Sequence, residues 1–320
     1  MSNKSQKVTD VSEYDSVIFD TRVGDFIRRG VIAISGILLA SYILFPLYWM
    51  IATAFKTTRE IQQIPPSVIP NSVSLIGFKE VIYSSIQKGG YQETIEQFLN
   101  LKVTSAIDID IFLLVFNSLK ISVLAGVIAL VIGSTAAYAI SQYEFKGKTI
   151  IMTLLLASLM FPGVAIMVPQ WELINTLDLF NTHTAIIMIY AAMTSPFVVW
   201  LMKGFFDEFP SSILEASKID QCSPFETFRY VIIPMGKNSL IASFIFAFLL
   251  AWNELVFALT LLSGNKYTVP PGLLTFVQGF NIQWNVVAAA SIIMSLPVLA
   301  GLAYIQRYFV QGLTGGAIKG

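Results

Sequence analysis

One cysteine, one histidine and a charged fraction of only 12% are what these 320 residues conspicuously lack. A lone Cys222 excludes an intrachain disulfide. A lone His183, without ligand-type companions at metal spacing, gives no metal site, and no Ser, His and Asp are arranged for nucleophilic catalysis. No catalytic residue is therefore assigned. Lys and Arg balance Asp and Glu, so the net charge is zero. The basic residues are spread over segment ends, which excludes a nucleic-acid surface. Gly147-Lys148-Thr149 is similar to the end of a phosphate-binding loop, but the first glycine such a loop needs falls on Gln142.

What fills the chain instead is apolar. Hydrophobic residues make up 55% and the mean hydropathy is +0.70, against roughly 25% charged residues in an ordinary soluble domain. Six long runs stand out: Val31 to Phe55, Leu113 to Ile140, Thr149 to Val168, Thr184 to Phe206, Ser239 to Leu262 and Val286 to Val310. Each holds the ~20 residues that cross a ~30 Å hydrocarbon core as a helix. Helices satisfy their own backbone groups, so the expected fold is an all-α membrane protein with six transmembrane helices.

Residues 1–28 are polar and mixed in charge, without the apolar core of a signal peptide. They read as a cytoplasmic tail preceding a membrane domain at 29–320. With that end inside, the inner segments carry thirteen Lys and Arg against a single Lys266 in the two short outer loops, the asymmetry of the positive-inside rule. The expected layout is multi-pass, with both termini cytoplasmic, a long outer loop at 56–110, an inner segment at 207–237 and an inner tail at 311–320. In the long loop, Pro65, Pro66 and Pro70 lead into amphipathic stretches at Phe78 to Ile86 and Thr94 to Leu101.

Charge inside a span is costly. Glu254, in AWNELVFAL, forms with Trp252 and Asn253 either the wall of a solute path or a pairing point with another helix. Lys120 is expected to snorkel to the outer interface. Pro46, Pro162, Pro196 and Pro297 lie in or at the ends of spans and suggest kinks.

The inner stretch EASKIDQCSPFETFRYVIIP, Glu215 to Pro234, is unusually polar. Ser212 with Glu215, and Ser223 with Glu226, have the spacing of capping boxes, and Pro224 suits a first helical position. The expectation is a hairpin of two short helices, with Pro234 ending the second. Ile213, Ala216 and Ile219 recur at helical spacing on the first piece, as do Phe225, Phe228 and Ile232 on the second. Such short helices need a surface to pack on. Glu215, Asp220 and Glu226 make this one mildly acidic, which fits a basic protein cleft better than lipid headgroups.

The order Glu215, Ala216, Asp220, Phe228, Pro234 resembles the EAA loop of ABC importer permeases, written EAAxxDGAxxxxxFxxIxLP. The ending GLTGGAIKG resembles the GLTxGAxKG of the second, six-span permease of maltose-type carbohydrate importers, and FNSL, AYAIS and AWNE fit the same family of binding-protein-dependent inner membrane components. The resemblance spans about residues 25 to 320. It implies half of a two-permease pore in a bacterial or archaeal inner membrane, paired with a second permease as a heterodimer. It further implies two ATP-binding cassette subunits that use ATP and Mg, an extracytoplasmic solute-binding protein, and a di- or oligosaccharide substrate; this chain itself would bind no cofactor. By resemblance, Glu215, Ala216, Asp220, Phe225, Phe228 and Pro234 couple to the ATPase, and Gly312, Thr314, Gly315 and Gly316 touch it through the tail. Val269, Pro270, Pro271 and Gly272, in the loop Ser263 to Gln283, would meet the binding protein. Gln221 stands where the family has a turn glycine, Ser217 and Cys222 replace alanines, and Asn238 replaces a proline. A left-handed Gln221 costs roughly 1–2 kcal/mol, which leaves another turn geometry open. Rival readings are an ion-coupled secondary transporter, a membrane scaffold, or a permease for a polyol or glycerol phosphate ester. With Glu254 and Lys120 as the intramembrane charges and no clear internal repeat, the first of these has little support.

Overall fold

The computed structural model describes residues 11–90, 110–277 and 282–314, and these are predominantly helical. Four helices are long and apolar enough to cross a membrane, or up to six spans if each of two bent pairs counts as one. The segments Thr94 to Leu101 and Gly315 to Gly320 lie outside the described residues.

Helix α1, Val11–Ala54, runs through residue 28 without a break. Most of its apolar part, Arg28–Ala54, is exposed within this chain, with only Ala52 and Ala54 of its last turn buried. The turn after it is tied back by two charged residues that sequence reading passed over. Lys56 donates to the Ser67 carbonyl and lies 4.7 Å from the centre of the Trp49 ring. Glu60 accepts from the Ser67 hydroxyl at 2.8 Å and the Asn71 amide at 2.7 Å. The bond from that amide is the main cause holding the Glu60 carboxyl below its ordinary range. Helix α2, Thr58–Ile61, carries Glu60, and α3, Ile76–Lys88, contains the expected Phe78 to Ile86 stretch.

Helix α4, Ile111–Gln142, starts where the Asp110 carboxylate accepts from the Leu113 amide at 3.1 Å. The third apolar run is broken into two helices, α5, Lys148–Leu159, and α6, Gly163–Thr176, bent by 98°. Pro162 accounts for the break: it has no amide hydrogen, and it disfavours helical backbone at Phe161. Helix α7, His183–Asp207, continues through Pro196, as α1 does through Pro46. Next come α8, Ser211–Ile219, α9, Pro224–Met235, and α10, Lys237–Trp252, the last two bent by 83°. The fifth run, expected to be continuous, therefore stops at Trp252 and resumes as α11, Val256–Leu261. Helix α12, Val269–Thr275, and α13, Trp284–Thr314, complete the order.

The packing of α4 on α7 organises the bundle, with α10 lying against both. Lipid tails are as apolar as leucine, so helices in a membrane gain little from burying apolar surface on each other and rely on close approach instead. Most of the buried side of α4 is accordingly a row of small residues, Ser118, Ser122, Ala125, Gly126, Ala129, Gly133, Ser134 and Ala137, with Leu114, Asn117, Ile121 and Ile140 among the larger ones. At Gly133 a β-carbon would stand 2.6 Å from Val198 Cγ1 on α7, and at Gly126 one would stand 3.1 Å from Phe244 on α10. Gly133→Ala is expected to destabilise the protein by about 1–3 kcal/mol through overpacking. Thermal unfolding in detergent measures this against Gly301→Ala, whose added methyl meets nothing within 4 Å.

Candidate functional site: a hairpin, a cavity and a clasped loop

The connection between α7 and α10 is the expected helical hairpin, built differently at its first end. Helix α8 begins at Ser211 behind Pro210, with no side-chain cap. That places Ser212 inside the first turn, so the Ser212/Glu215 capping box does not form. The second box does: the Ser223 amide donates to Glu226 Oε2 at 2.7 Å, and the Glu226 amide to Ser223 Oγ at 3.3 Å. Between the helices Gln221 takes the left-handed backbone, φ 58°. The Cys222 amide reaches the Ser217 carbonyl at 3.0 Å and the Gln221 amide the Lys218 carbonyl at 3.1 Å, the paired bonds of a Schellman turn. Gln221 thus keeps the geometry a glycine would give, at the conformational cost of a side chain. Ser217 is not a passive replacement, because its hydroxyl accepts from Thr227 Oγ1 at 3.3 Å and ties the two helices together.

Pro234 does not end α9, which continues to Met235. A π-turn over Thr227–Ile232, with the Ile233 amide bonded to the Phe228 carbonyl, precedes the proline. The wider turn accommodates a residue that has no hydrogen to donate. The bend follows at Gly236, where a β-carbon would stand 2.7 Å from Phe205.

The expected partner face divides. Glu215, Ala216, Ile219, Asp220, Phe225 and Pro234 are exposed, Phe225 at 69%. Phe228 is turned inward instead, its ring centre 5.2 Å from Tyr138 and 6.5 Å from Phe206. Phe228 joins hairpin to bundle, and Phe225 stands clear of it. At the same end, Ser141 Oγ donates to Asp207 Oδ1 at 2.7 Å, and Gln142 Nε2 to the Phe206 carbonyl at 3.2 Å, binding α4 to α7.

A cavity of about 420 Å³ lies beside both helix breaks, lined by Ser158, Phe161, Gln170, Tyr190, Thr194 and Glu254 among others. Of the three residues expected together here, only Glu254 lines it. Trp252 is buried with Val269, Val286 and Met294 and packs on Phe248, while Asn253 is exposed and bonds the Leu249 carbonyl at 2.8 Å. Glu254 answers the question its intramembrane charge raised. One carboxylate oxygen accepts from the Val256 amide at 2.8 Å and the Phe257 amide at 3.2 Å. The other accepts from the Phe257 amide at 3.1 Å, the Ala258 amide at 3.4 Å and Tyr190 Oη at 2.6 Å. It caps the start of α11 and is pinned from α7, so its negative charge meets the amide end of a helix. Lys120 is half-buried in the third turn of α4.

At the end of the bundle away from the hairpin, Val269, Pro271 and Gly272 are buried and Pro270 is half-buried. A β-carbon on Gly272 would lie 2.3 Å from Leu114 of α4. The exposed part of this loop is Ser263 to Lys266. Gly312 and Thr314 lie within α13, while Gly315 and Gly316 are outside the described residues.

A bent bundle of apolar helices, broken beside a cavity and carrying a polar hairpin on one end, defines a multi-pass permease subunit rather than an enzyme. The chain belongs to the family of binding-protein-dependent transport system inner membrane components, whose sequence profile matches residues 129–315. Such subunits work with a solute-binding protein and with separate subunits that hydrolyse ATP, which sets aside the secondary-transporter and scaffold readings. A probable ABC transporter permease of Sinorhizobium fredii is 32% identical over 281 residues, covering 88% of this chain and 92% of that one. The trehalose/maltose transport system permease of Thermococcus litoralis is 31% identical over 299 residues, covering 92% and 99%. The fold is also that of a chain in a bacterial ABC transporter involved in the import of alginate, an acidic polysaccharide, with a TM-score of 0.70 over 89% of this chain and 98% of that one at 18% identity.

Two outcomes follow from the geometry. Glu254→Ala strips acceptors from three amides and from Tyr190 Oη, and should lower stability by about 2–4 kcal/mol; Tyr190→Phe, which removes one bond, should cost about 1 kcal/mol. Melting of the detergent-purified protein compares the two. Gln221→Gly should stabilise the hairpin by about 1 kcal/mol, seen as slower hydrogen exchange at the Gln221 and Cys222 amides.

Proposed function

We propose that the chain is the membrane-spanning half of a carbohydrate importer, paired with a different permease chain, with the hairpin and both termini on the cytoplasmic side. The relatives support the substrate class: those named for trehalose, for trehalose and maltose, and for diacetylchitobiose align over 90%, 92% and 90% of this chain. The observation that carries the reading is the cavity. Its acid, Glu254, has its oxygens occupied by amides and Tyr190 Oη, so it offers a solute little unpaired charge. What remains is an amide at Gln170, hydroxyls at Ser158 and Thr194, and apolar walls at Phe161, Met193 and Pro196. Such a surface suits a neutral polyhydroxylated ring, with hydrogen-bonding edges and apolar faces.

The ATPase contact is then the exposed hairpin face of Glu215, Ala216, Ile219, Asp220 and Phe225. The carboxylates match a basic cleft, the small Ala216 admits close approach, and Phe225 offers a large apolar anchor. A hairpin fixed by a Schellman turn, a capping box and the Ser217–Thr227 bond moves as a body. When the partner subunits close around ATP and Mg, that motion turns α7 and α10, which it joins, and changes which side of the membrane the cavity opens to. Phe228 holds the hairpin to the bundle rather than to the ATPase. Gly312 to Gly316 extend the ATPase contact along the chain end. On the outer side the binding protein meets the exposed Ser263 to Lys266, with Val269 to Gly272 as the seat of that loop.

The reconstituted complex tests this through ATPase stimulation by its binding protein loaded with maltose, trehalose or diacetylchitobiose, with glycerol 3-phosphate as an anionic control. Stimulation by at least one saccharide is expected; stimulation by the phosphate ester alone refutes the carbohydrate reading. Glu215→Ala should reduce uptake about tenfold, equivalent to ~1.4 kcal/mol of docking energy, and unchanged uptake refutes the assigned contact.

A further inference from the structure

The loop from Ser263 to Gly272 lacks one of the usual local supports of a helix start. Thr268 sits at the N-cap of α12, where its hydroxyl would ordinarily accept from one of the next amides but one or two. Those positions are Pro270 and Pro271, which have none to give, and the Thr268 hydroxyl is buried without a partner. The support comes from α4. Asn117, buried at 3%, donates both amide hydrogens, to the carbonyls of Asn265 at 2.9 Å and Tyr267 at 3.0 Å. Ser118 Oγ accepts from the Val269 amide at 2.7 Å.

A second set of bonds comes from the entry to α7. Asn181, left-handed at φ 55°, accepts from the Ser263 amide through Oδ1 at 3.0 Å and from Lys266 Nζ through its carbonyl at 2.7 Å. His183 Nε2 lies 3.0 Å from the Lys266 carbonyl, and since that oxygen can only accept, Nε2 carries the hydrogen. One short loop is thus bonded to the outer ends of the two helices that pack most extensively on each other. Those helices are bonded again at their hairpin ends, Ser141 to Asp207 and Gln142 to the Phe206 carbonyl. Tyr138 of α4 and Phe206 of α7 both pack on Phe228 of the hairpin.

We propose that α4 and α7, clasped at both ends, form one rigid strut that carries displacement of the Ser263 to Lys266 loop to the coupling hairpin, with Asn117 as the positioning residue at its head. The clasp passes a push on the loop to both helices, the close small-residue seam between them resists sliding, and the bonds at their far ends tie both to the hairpin's base. The proposal rests on the reading that the binding protein meets this loop, but the clasp itself does not.

Asn117→Leu keeps the side-chain size and removes both donors. In the assembled complex in lipid nanodiscs, two quantities are read: hydrogen exchange at Ser263 and Val269, and the ratio of ATPase activity with saccharide-loaded binding protein to activity without it. Exchange at both amides should speed up, and the ratio should fall by about tenfold, the effect of losing two hydrogen bonds of ordinary net strength. A variant that merely folded poorly would lose both activities together and leave the ratio unchanged. If Asn117→Leu does not assemble, Ser118→Ala removes the single acceptor for Val269 and should shift the same ratio about threefold. Faster exchange with an unchanged ratio and undiminished activities overturns the strut, and unchanged exchange overturns the clasp. A wild-type complex that no loaded binding protein stimulates overturns the loop's assigned contact and the strut's role with it, while the exchange result still decides the clasp.

Discussion

In hydrocarbon, no water stands ready to replace a backbone hydrogen bond or to drive apolar faces together. Everything distinctive in this chain follows from how it meets those two demands. Cohesion comes from proximity, through the row from Ser118 to Ala137 that lets α4 lie close on α7. Specificity comes from the few polar side chains at the ends of that pair, each directed at a backbone group: Asn117 and Ser118 at one end, Gln142 at the other. Removing water makes such bonds harder to replace once lost, so a handful of them can set the register of helices that would otherwise slide.

The hairpin meets the opposite situation. Its helices are short and largely exposed, too short to be stable alone, and they rely on local devices: the Ser223–Glu226 box, the Schellman turn and the Ser217–Thr227 bond. A single aromatic cluster around Phe228 then fixes the rigid unit to the bundle. Phe225, Ile219, Glu215 and Asp220 are left outward, unused by the described residues. Within one small segment, the residues that build the unit and the residues it presents are separate sets.

Hydropathy alone located the four long apolar helices and both bent pairs, since a stretch of ~20 apolar residues has few other fates. Local chemistry also located the hairpin, and one of its two caps. Where sequence reading failed, the deciding partner was distant or the choice was between neighbours. Ser212 has the spacing of a cap, but Pro210 one residue before Ser211 starts the helix early and takes the position away. Trp252, Asn253 and Glu254 are adjacent and were grouped, yet the helix ends at Trp252 and the turn after it sends them in three directions, and the break at Glu254 depends on amides that follow it and on Tyr190, 64 positions earlier. Resemblance marks Val269 to Gly272 as a contact with the binding protein; in the fold Val269, Pro271 and Gly272 are buried, and Gly272 is the flat surface on which Leu114 rests. Asn117 lies about 150 residues from the carbonyls it holds, and nothing in a single sequence links them. The one legible trace was an Asn-Ser pair inside an otherwise greasy helix, which in a membrane asks for partners.

The two helix breaks beside the cavity differ in a way that bears on which can move. At Glu254 the exposed amides of α11 are met by a carboxylate that is itself held by Tyr190 of α7, so opening that break means losing several charge-assisted bonds together. At Pro162 the start of α6 has no side-chain cap; the Ala165 amide returns to the Pro162 carbonyl, and Met160 and Phe161 stand exposed beside it. Pro162 interrupts a helix by withholding a bond, whereas Glu254 interrupts one by supplying several. A change of angle at the first therefore breaks less than the same change at the second. The bend between α5 and α6 is the less tightly bonded wall of the cavity, and the Glu254 end of α10, anchored to α7 through Tyr190, the more tightly bonded one.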